Sequence, residues 1–172
     1  MSGEENTAKN GKGLMDAYSG RSDMLQFVTF NLAAQRYATD ILKVQEINNL
    51  KDITPIPKSP HYVEGAINLR GKVIPVLNLR KKFNMPFESL NDMTKIIIIV
   101  IHGITMGIIV DSVSDVLRIP RDVVEPPPPV ASGNIRSEFI CGIAKLTEGL
   151  IIILDMNNLL DVHEQQAVFG DS

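Results

Sequence analysis

Tyr62-Val63-Glu64-Gly65-Ala66-Ile67-Asn68-Leu69-Arg70-Gly71-Lys72-Val73-Ile74-Pro75-Val76-Leu77 is the stretch on which the fold turns. Apolar residues on either side of Arg70-Gly71-Lys72 read as two short strands joined by a tight turn. Pro75 has no N–H for a ladder, so it predicts an edge strand or a bulge. Asn78 suits the cap of a short helical turn over 78–83. The pattern recurs further along. Residues 62–83 overlay 139–160 without gaps at a shift of 77, placing Gly65 on Gly142, Leu69 on Leu146, Ile74 on Ile151 and Leu77 on Leu154. Residues 25–47 overlay 94–116 at a shift of 69, where Ile41 meets Val110, Val44 meets Val113, Glu46 meets Asp115 and Ile47 meets Val116. The shifts differ by eight residues, which matches a proline-rich insertion in the later half. Self-similarity of this kind is the mark of a duplicated structural unit.

Working outward, residues 26–30 and 37–41 are β-type runs around a turn at 33–35, and 44–47 continues the alternation. Pro55, Pro57 and Pro60 exclude a central strand between 55 and 60. Residues 94–101 are nearly all β-branched, as in a strand buried on both faces. Gly103 marks a hairpin, with 105–110 returning, and Thr147-Glu148-Gly149 closes a last hairpin between 139–146 and 150–154. The four prolines 126–129 read as an extended loop of polyproline character, and Asp155 as the N-cap of a short terminal helix over 155–162. The expected organisation is a disordered tail over 1–23, a first β-barrel subdomain over 24–93, a second over 94–162, and a loose tail over 163–172. The fold class is all-β: two small five-stranded barrels with short helical turns and a short C-terminal helix. A unit of about 70 residues is marginal alone, so the two are expected to pack through an apolar seam, where a partner also has room to dock.

The chain has 172 residues, 44% of them hydrophobic and 22% charged, which suits an ordered protein of one ordinary domain or two very small ones. A net charge of −3, no Trp, three Tyr and six Phe argue against nucleic-acid binding by backbone neutralisation or base stacking. Residues 24–95 hold ten basic and six acidic groups, whereas 96–172 hold four and ten, so the two halves present different surfaces. The longest apolar run, 96–101, is six residues against the roughly 20 of a membrane-spanning helix. The N-terminus lacks a signal-peptide apolar region, and a single Cys fits a reducing compartment, so a soluble cytoplasmic protein is expected.

Catalytic patterns are missing. His61, His102 and His163 have no metal-ligand spacing, and the chain contains no P-loop, nucleophile elbow or dinucleotide fingerprint. His102 reads as a hairpin-end residue. Cys141, between Ile140 and Gly142, reads as an inert core thiol. No catalytic residue, metal or cofactor is assigned, and a binding module is the expected class. Alternation puts Val44 and Glu46 on one face of their strand. A carboxylate beside valine needs water or a cation, and Arg70 is the cation expected to pair with it. Gly65, Gly107 and Gly142 lie in strand contexts, where glycine marks a bulge or a close backbone approach. A rival from another class, a β-barrel enzyme or small-ligand sensor, would need a polar pocket with convergent titratable groups.

Val44-Gln45-Glu46-Ile47, the stretch from Gly65 through Asn68-Leu69-Arg70-Gly71 to Arg80, and Gly107-Ile108-Ile109-Val110-Asp111-Ser112-Val113-Ser114-Asp115-Val116-Leu117 resemble the CheW family of bacterial chemotaxis coupling proteins, in order, from about residue 25 to 160. The resemblance implies two five-stranded SH3-like barrels. It implies a non-enzymatic adaptor joining the cytoplasmic signalling tip of chemoreceptors (methyl-accepting chemotaxis proteins) to the regulatory domain of the histidine kinase CheA. The membrane is reached only through receptors, in arrays at the inner membrane. The matching receptor-binding positions are Val44, Glu46, Gly65 and Arg70, with Gly107 and Gly142 shaping the region. A kinase-binding surface falls around Lys95, Ile96 and Ile98. The alternatives are a coupling protein of a related motility or developmental pathway, or a fragment of a CheV-like protein or kinase. Met1 and the lack of room for a receiver domain favour the free-standing form as an expectation.

Overall fold

The computed structural model describes residues 24–86, 88–127 and 137–169. The expected tail over 1–23, Pro128 and Pro129, and the last residues 170–172 lie outside them. Among the described residues, eleven strands form two sheets. They are β1 (Met24–Leu32), β2 (Gln35–Asp40), β3 (Val44–Asn49), β4 (Val63–Leu69), β5 (Lys72–Asn78), β6 (Lys95–Ile101), β7 (Ile104–Val110), β8 (Ser112–Pro120), β9 (Val124–Glu125), β10 (Ile140–Leu146) and β11 (Gly149–Leu154). Sheet A runs β8-β1-β2-β11-β10-β9 and sheet B runs β3-β6-β7-β5-β4. The extra strand of sheet A is two residues long, and its counterpart in sheet B is a single bridge from Thr54 to Ala66. The architecture is two SH3-like barrels, as expected.

The repeat is real at the level of register. Phe27 faces Asp40 in one hairpin and Ile96 faces Ile109 in the other, each pair 69 residues from its counterpart. Parallel pairing joins Val76 to Gly107 in sheet B and Ile153 to Ala38 in sheet A, again at the two repeat shifts. The boundary expected at 93/94 is corrected by the topology. The third strand of each repeat crosses to the other barrel: β3 pairs with β6 (Ile47 opposite Ile97) and β8 pairs with β1 (Val116 opposite Val28). Sheet A therefore takes β1 and β2 from the first repeat and β8 to β11 from the second, while sheet B takes β3 to β5 and β6–β7. The crossing points are the 3-10 turn Ile41–Lys43, capped by the Asp40 carboxylate, and the single residue Asp111 between β7 and β8.

Turn chemistry explains the hairpins. Arg70-Gly71 and His102-Gly103 take φ of 53° and 87°, and 52° and 77°, the left-handed pair of a two-residue type I′ turn. Asn68 Oδ1 accepts from the Gly71 N–H at 2.8 Å and closes the first. Of the two settings expected for Pro75, the edge strand does not hold: β5 is an interior strand, flanked by β7 and β4. The proline is tolerated because β7 pairs only from Val76 onward, which leaves Pro75 just outside that ladder and one residue from the β4 bulge at Val63/Gly65.

Three apolar clusters follow from strand parity. Leu25, Phe27, Ala38, Ile119, Ile151 and Ile153 fill barrel A. Ile67, Leu69, Ile74, Val76, Ile96, Ile98 and Ile109 fill barrel B. The third and largest lies between them, where Phe30, Leu32 and Tyr37 of sheet A meet Ile97, Ile99 and Ile108 of sheet B. This is the expected seam. The run 96–99 is buried on both faces because Ile96 and Ile98 point into barrel B while Ile97 and Ile99, with Ile101 beyond them, point into the seam.

Asn78 caps the short helix α1 (Leu79–Lys82), accepting from the Lys81 N–H at 3.2 Å. Asp155 does cap a turn, but only the 3-10 turn Met156–Asn158. The C-terminal helix lies later than expected, as α2 (Val162–Phe169), within the stretch read as a loose tail. Its start is a capping box missed in the sequence: Asp161 Oδ1 accepts from the Glu164 N–H at 2.7 Å, and Glu164 Oε1 accepts from the Asp161 N–H at 3.0 Å.

Candidate functional site

Val44 and Glu46 project to the same, half-buried side of β3, while Gln45 and Ile47 are exposed, as alternation predicts. Val44 packs against the seam cluster. The β3–β6 register shifts between Val44 and Glu46, a bulge that offsets Glu46 along the edge of the sheet. The expected pairing with Arg70 is present and two-pronged: Arg70 Nη1 donates to Glu46 Oε2 at 2.6 Å and Nη2 to Oε1 at 3.4 Å. The side chains are unequally exposed, 73% for Arg70 and 19% for Glu46. The arginine is a solvated headpiece, and the carboxylate is its sheltered anchor.

Each of the three glycines has a structural cause. Gly65 sits at φ 150°, and a Cβ there would collide with the Thr54 carbonyl oxygen. That carbonyl accepts from the Ala66 N–H at 2.8 Å, and the Thr54 N–H returns a bond to Ala66 O at 2.9 Å. Gly65 thus lets the 53–54 segment cross tightly over β4. A Cβ on Gly107 would stand 2.8 Å from Ile96 Cγ2 inside barrel B. Gly142 marks the β10 bulge, at the position repeat-equivalent to the Gly65 bulge. Val44, Glu46, Gly65, Arg70 and Gly107 share sheet B, whereas Gly142 belongs to sheet A.

The surface expected around Lys95, Ile96 and Ile98 needs correction. Ile96 and Ile98 are fully buried in the core of barrel B, so neither side chain reaches a partner. β6 is an interior strand between β3 and β7, and its inward positions are spent on packing. Lys95 alone reaches the surface, where Nζ donates to Asn49 Oδ1 at 2.6 Å.

Sequence reading missed the polar network at the crossing residue. Arg80, 8% exposed, donates from Nε to Asp111 Oδ1 at 2.8 Å and from Nη2 to Asp111 Oδ2 at 2.6 Å. It also donates to Pro86 O at 2.9 Å and Glu88 Oε2 at 2.7 Å. Asp111 Oδ2 accepts from the Ala33 N–H at 2.9 Å, and the Asp111 N–H donates to Asn31 O at 3.0 Å. Asp111 thus ties α1 of one barrel to the β1–β2 turn of the other. Burial pushes its carboxyl up, but the bonds from Arg80 and Ala33 outweigh this and hold it below the ordinary carboxylate value. A cavity of about 80 Å³ beside Arg80 is lined by Asn78, Glu88, Asn91, Thr94 and Asp111 among others, and the carboxylates there already neutralise the guanidinium. Nothing in the motif Leu79-Arg80-Lys81-Lys82 distinguishes the sheltered Arg80 and Lys82 from the more open Lys81. Burial pushes the Cys141 thiol up to about 12, with Asp155 and Asp40 adding to the shift, which suits a core thiol. Among the described residues no group of three His, Cys, Asp or Glu is placed to hold a metal ion, and no helix is long and apolar enough to cross a membrane.

Two interleaved SH3-like barrels around a shared apolar seam, with an exposed Arg–Glu clasp across the closing edges of one sheet, define a protein-binding scaffold module. The chain belongs to the CheW family: the CheW-like domain model matches residues 26–164. The chemotaxis protein CheW of Klebsiella aerogenes is 35% identical over 143 residues, covering 83% of this chain and 86% of that one. Its Treponema pallidum counterpart is 34% identical over 148 residues, covering 84% and 86%. The crystal structure of the scaffolding protein TtCheW from Thermoanaerobacter tengcongensis superposes with a TM-score of 0.76 at 41% identity, over 81% of this chain and 94% of that one.

Proposed function

We propose that this chain is a non-enzymatic adaptor that couples the cytoplasmic tip of transmembrane chemoreceptors to the histidine kinase CheA in chemotaxis signalling. The observation that carries the reading is the Arg70–Glu46 clasp at an exposed hairpin of a CheW-family double barrel. A receptor tip is a helical bundle, and it would engage Arg70 and the half-buried Val44–Glu46 face of β3, with Gly65, Gly107 and Gly142 setting the backbone around the seam. Arg70 keeps its donors ordered by the bidentate pair, yet remains open to a second carboxylate or carbonyl. The regulatory domain of the kinase, which shares the fold, would pack against a barrel flank that includes Lys95. Holding both partners raises their effective concentration and lets a receptor change bias the kinase. The site of action is the cytoplasmic face of receptor arrays at the inner membrane.

The test is co-sedimentation with receptor-containing membranes, with and without CheA, reading kinase autophosphorylation in the same tubes. The expected outcome is that the protein pellets with receptors and that receptor control of the kinase requires it. A protein that stays in the supernatant with both partners present would overturn the reading.

A further inference from the structure

We propose that helix α2 is an autoinhibitory strap: a self-docked helix whose Glu164 fills a cradle of Lys82, Tyr62 and Phe139 at the seam, and which opens as one unit to yield that cradle to a carboxylate-bearing helix of a partner. The partner half rests on the reading that a receptor helix docks at the seam; the opening half does not.

α2 has eight residues, none fully buried, and touches the seam through partly buried Val168 and Phe169. Isolated helices shorter than about 12 residues are marginal in water, so α2 owes its helicity to docking. Docking and helix start depend on one side chain. Glu164 Oε2 accepts from Lys82 Nζ at 2.5 Å, while Oε1 closes the capping box with Asp161. Releasing Glu164 removes the latch and one of the two capping-box bonds together, which favours opening of the helix as a unit over fraying from its end.

The cradle is built for a carboxylate. Lys82 has a side chain only 8% exposed and stands 4.9 Å from the Tyr62 ring centre and 5.3 Å from that of Phe139. Aromatic faces hold a cation but do not neutralise it, and a sheltered ammonium without a counter-charge is strongly unfavourable. When α2 leaves, water reaches Lys82 and the two ring faces, and an incoming carboxylate regains there the charge pair that Glu164 gave up. The present occupant specifies the replacement: a helix carrying a carboxylate, with apolar residues four and five positions on, as Glu164, Val168 and Phe169 are placed.

Hydrogen exchange on the full chain tests the opening, and co-sedimentation with receptor-containing membranes tests the competition. Glu164→Gln keeps the capping chemistry, since Gln serves that position, but removes the charge facing Lys82. The expected result is exchange of the α2 amides about tenfold faster than in the wild type, with β6 and β10 unchanged, and membrane binding about threefold tighter. Asp161→Ala, which weakens the cap without touching Lys82, should shift exchange in the same direction. If α2 exchanges only with global unfolding, or Glu164→Gln leaves it unchanged, the strap is overturned. Faster opening with unchanged or weaker membrane binding overturns the autoinhibition. Failure of both proteins to bind receptors while α2 opens would instead sink the receptor reading, and the partner half with it.

Discussion

Glu46 lies on β3 and Arg70 at the tip of the β4–β5 hairpin, the two opposite edges of sheet B, and their side chains meet at 2.6 Å. Edges that lie four strand spacings apart in an open sheet touch only when the sheet has curled on itself, so the pair marks the closure of the barrel. It also places a cation, fixed in direction but 73% exposed, on the rim of that closure.

Arg70→Glu should abolish or greatly weaken receptor co-sedimentation while keeping the β-type fold, at a stability cost of about 1–3 kcal/mol, because the exposed arginine contributes little itself but the sheltered Glu46 loses its cation. Membrane pelleting and a thermal melt followed by circular dichroism, run on one preparation, check both halves. Normal pelleting, or collapse of the β-type spectrum, would count against a role for Arg70 in binding.

Asp111→Ala should cost about 1–3 kcal/mol, since it removes charge-assisted bonds from nearly buried Arg80, while Glu88 and Pro86 O still hold the guanidinium and water replaces the bond to the exposed Ala33 N–H. The carboxyl is held low in the folded state, so its stabilisation is full above the unfolded carboxyl value of about 4 and is lost as pH falls through the folded value. Denaturant titrations at several acidic pH values should therefore show a steeper acid loss in the wild type than in Asp111→Asn. Parallel profiles would mean that the carboxylate contributes nothing by its charge.

Gly65→Ala and Gly71→Ala separate two reasons for glycine. At 71 a Cβ meets nothing, so only the left-handed backbone is penalised, by about 1 kcal/mol. At 65 the Cβ meets the Thr54 carbonyl, and the two-way bridge between Thr54 and Ala66 must break, so a loss of more than about 2 kcal/mol is expected. Equal costs in chemical denaturation would show that the 53–54 crossing is not tight.

Cys141 should resist alkylation at pH 8 in the native protein, because a thiol raised to about 12 is almost entirely protonated there. Mass spectrometry after iodoacetamide treatment, native and in denaturant, reads the difference. Rapid native labelling would show that β10 opens far more readily than its neighbours.

Local physics was legible in the residue string. The glycine turns, the cap at Asn78, the parity of Val44 and Glu46 and the duplicated pattern all follow from steric and hydrogen-bonding rules that act within a few residues. Even the Glu46–Arg70 pair was accessible, because a half-buried carboxylate demands a cation and a nearby hairpin offered one. The capping box at Asp161 and Glu164 carried an equally local signal that went unread.

Three features were decided only by the assembled chain. The third strand of each repeat joins the other barrel, because a strand's partner is set by which edge is open in space, and both edges offer the same register. Ile96 and Ile98, whose β-branched run already marked them for burial, face barrel B and not the seam because sheet B closes around that side of β6. Arg80 became buried because the crossing at Asp111 brought a carboxylate to it from 31 residues away. A sequence states which side chains need shelter or a counter-charge; only the closed fold decides which distant segment supplies them.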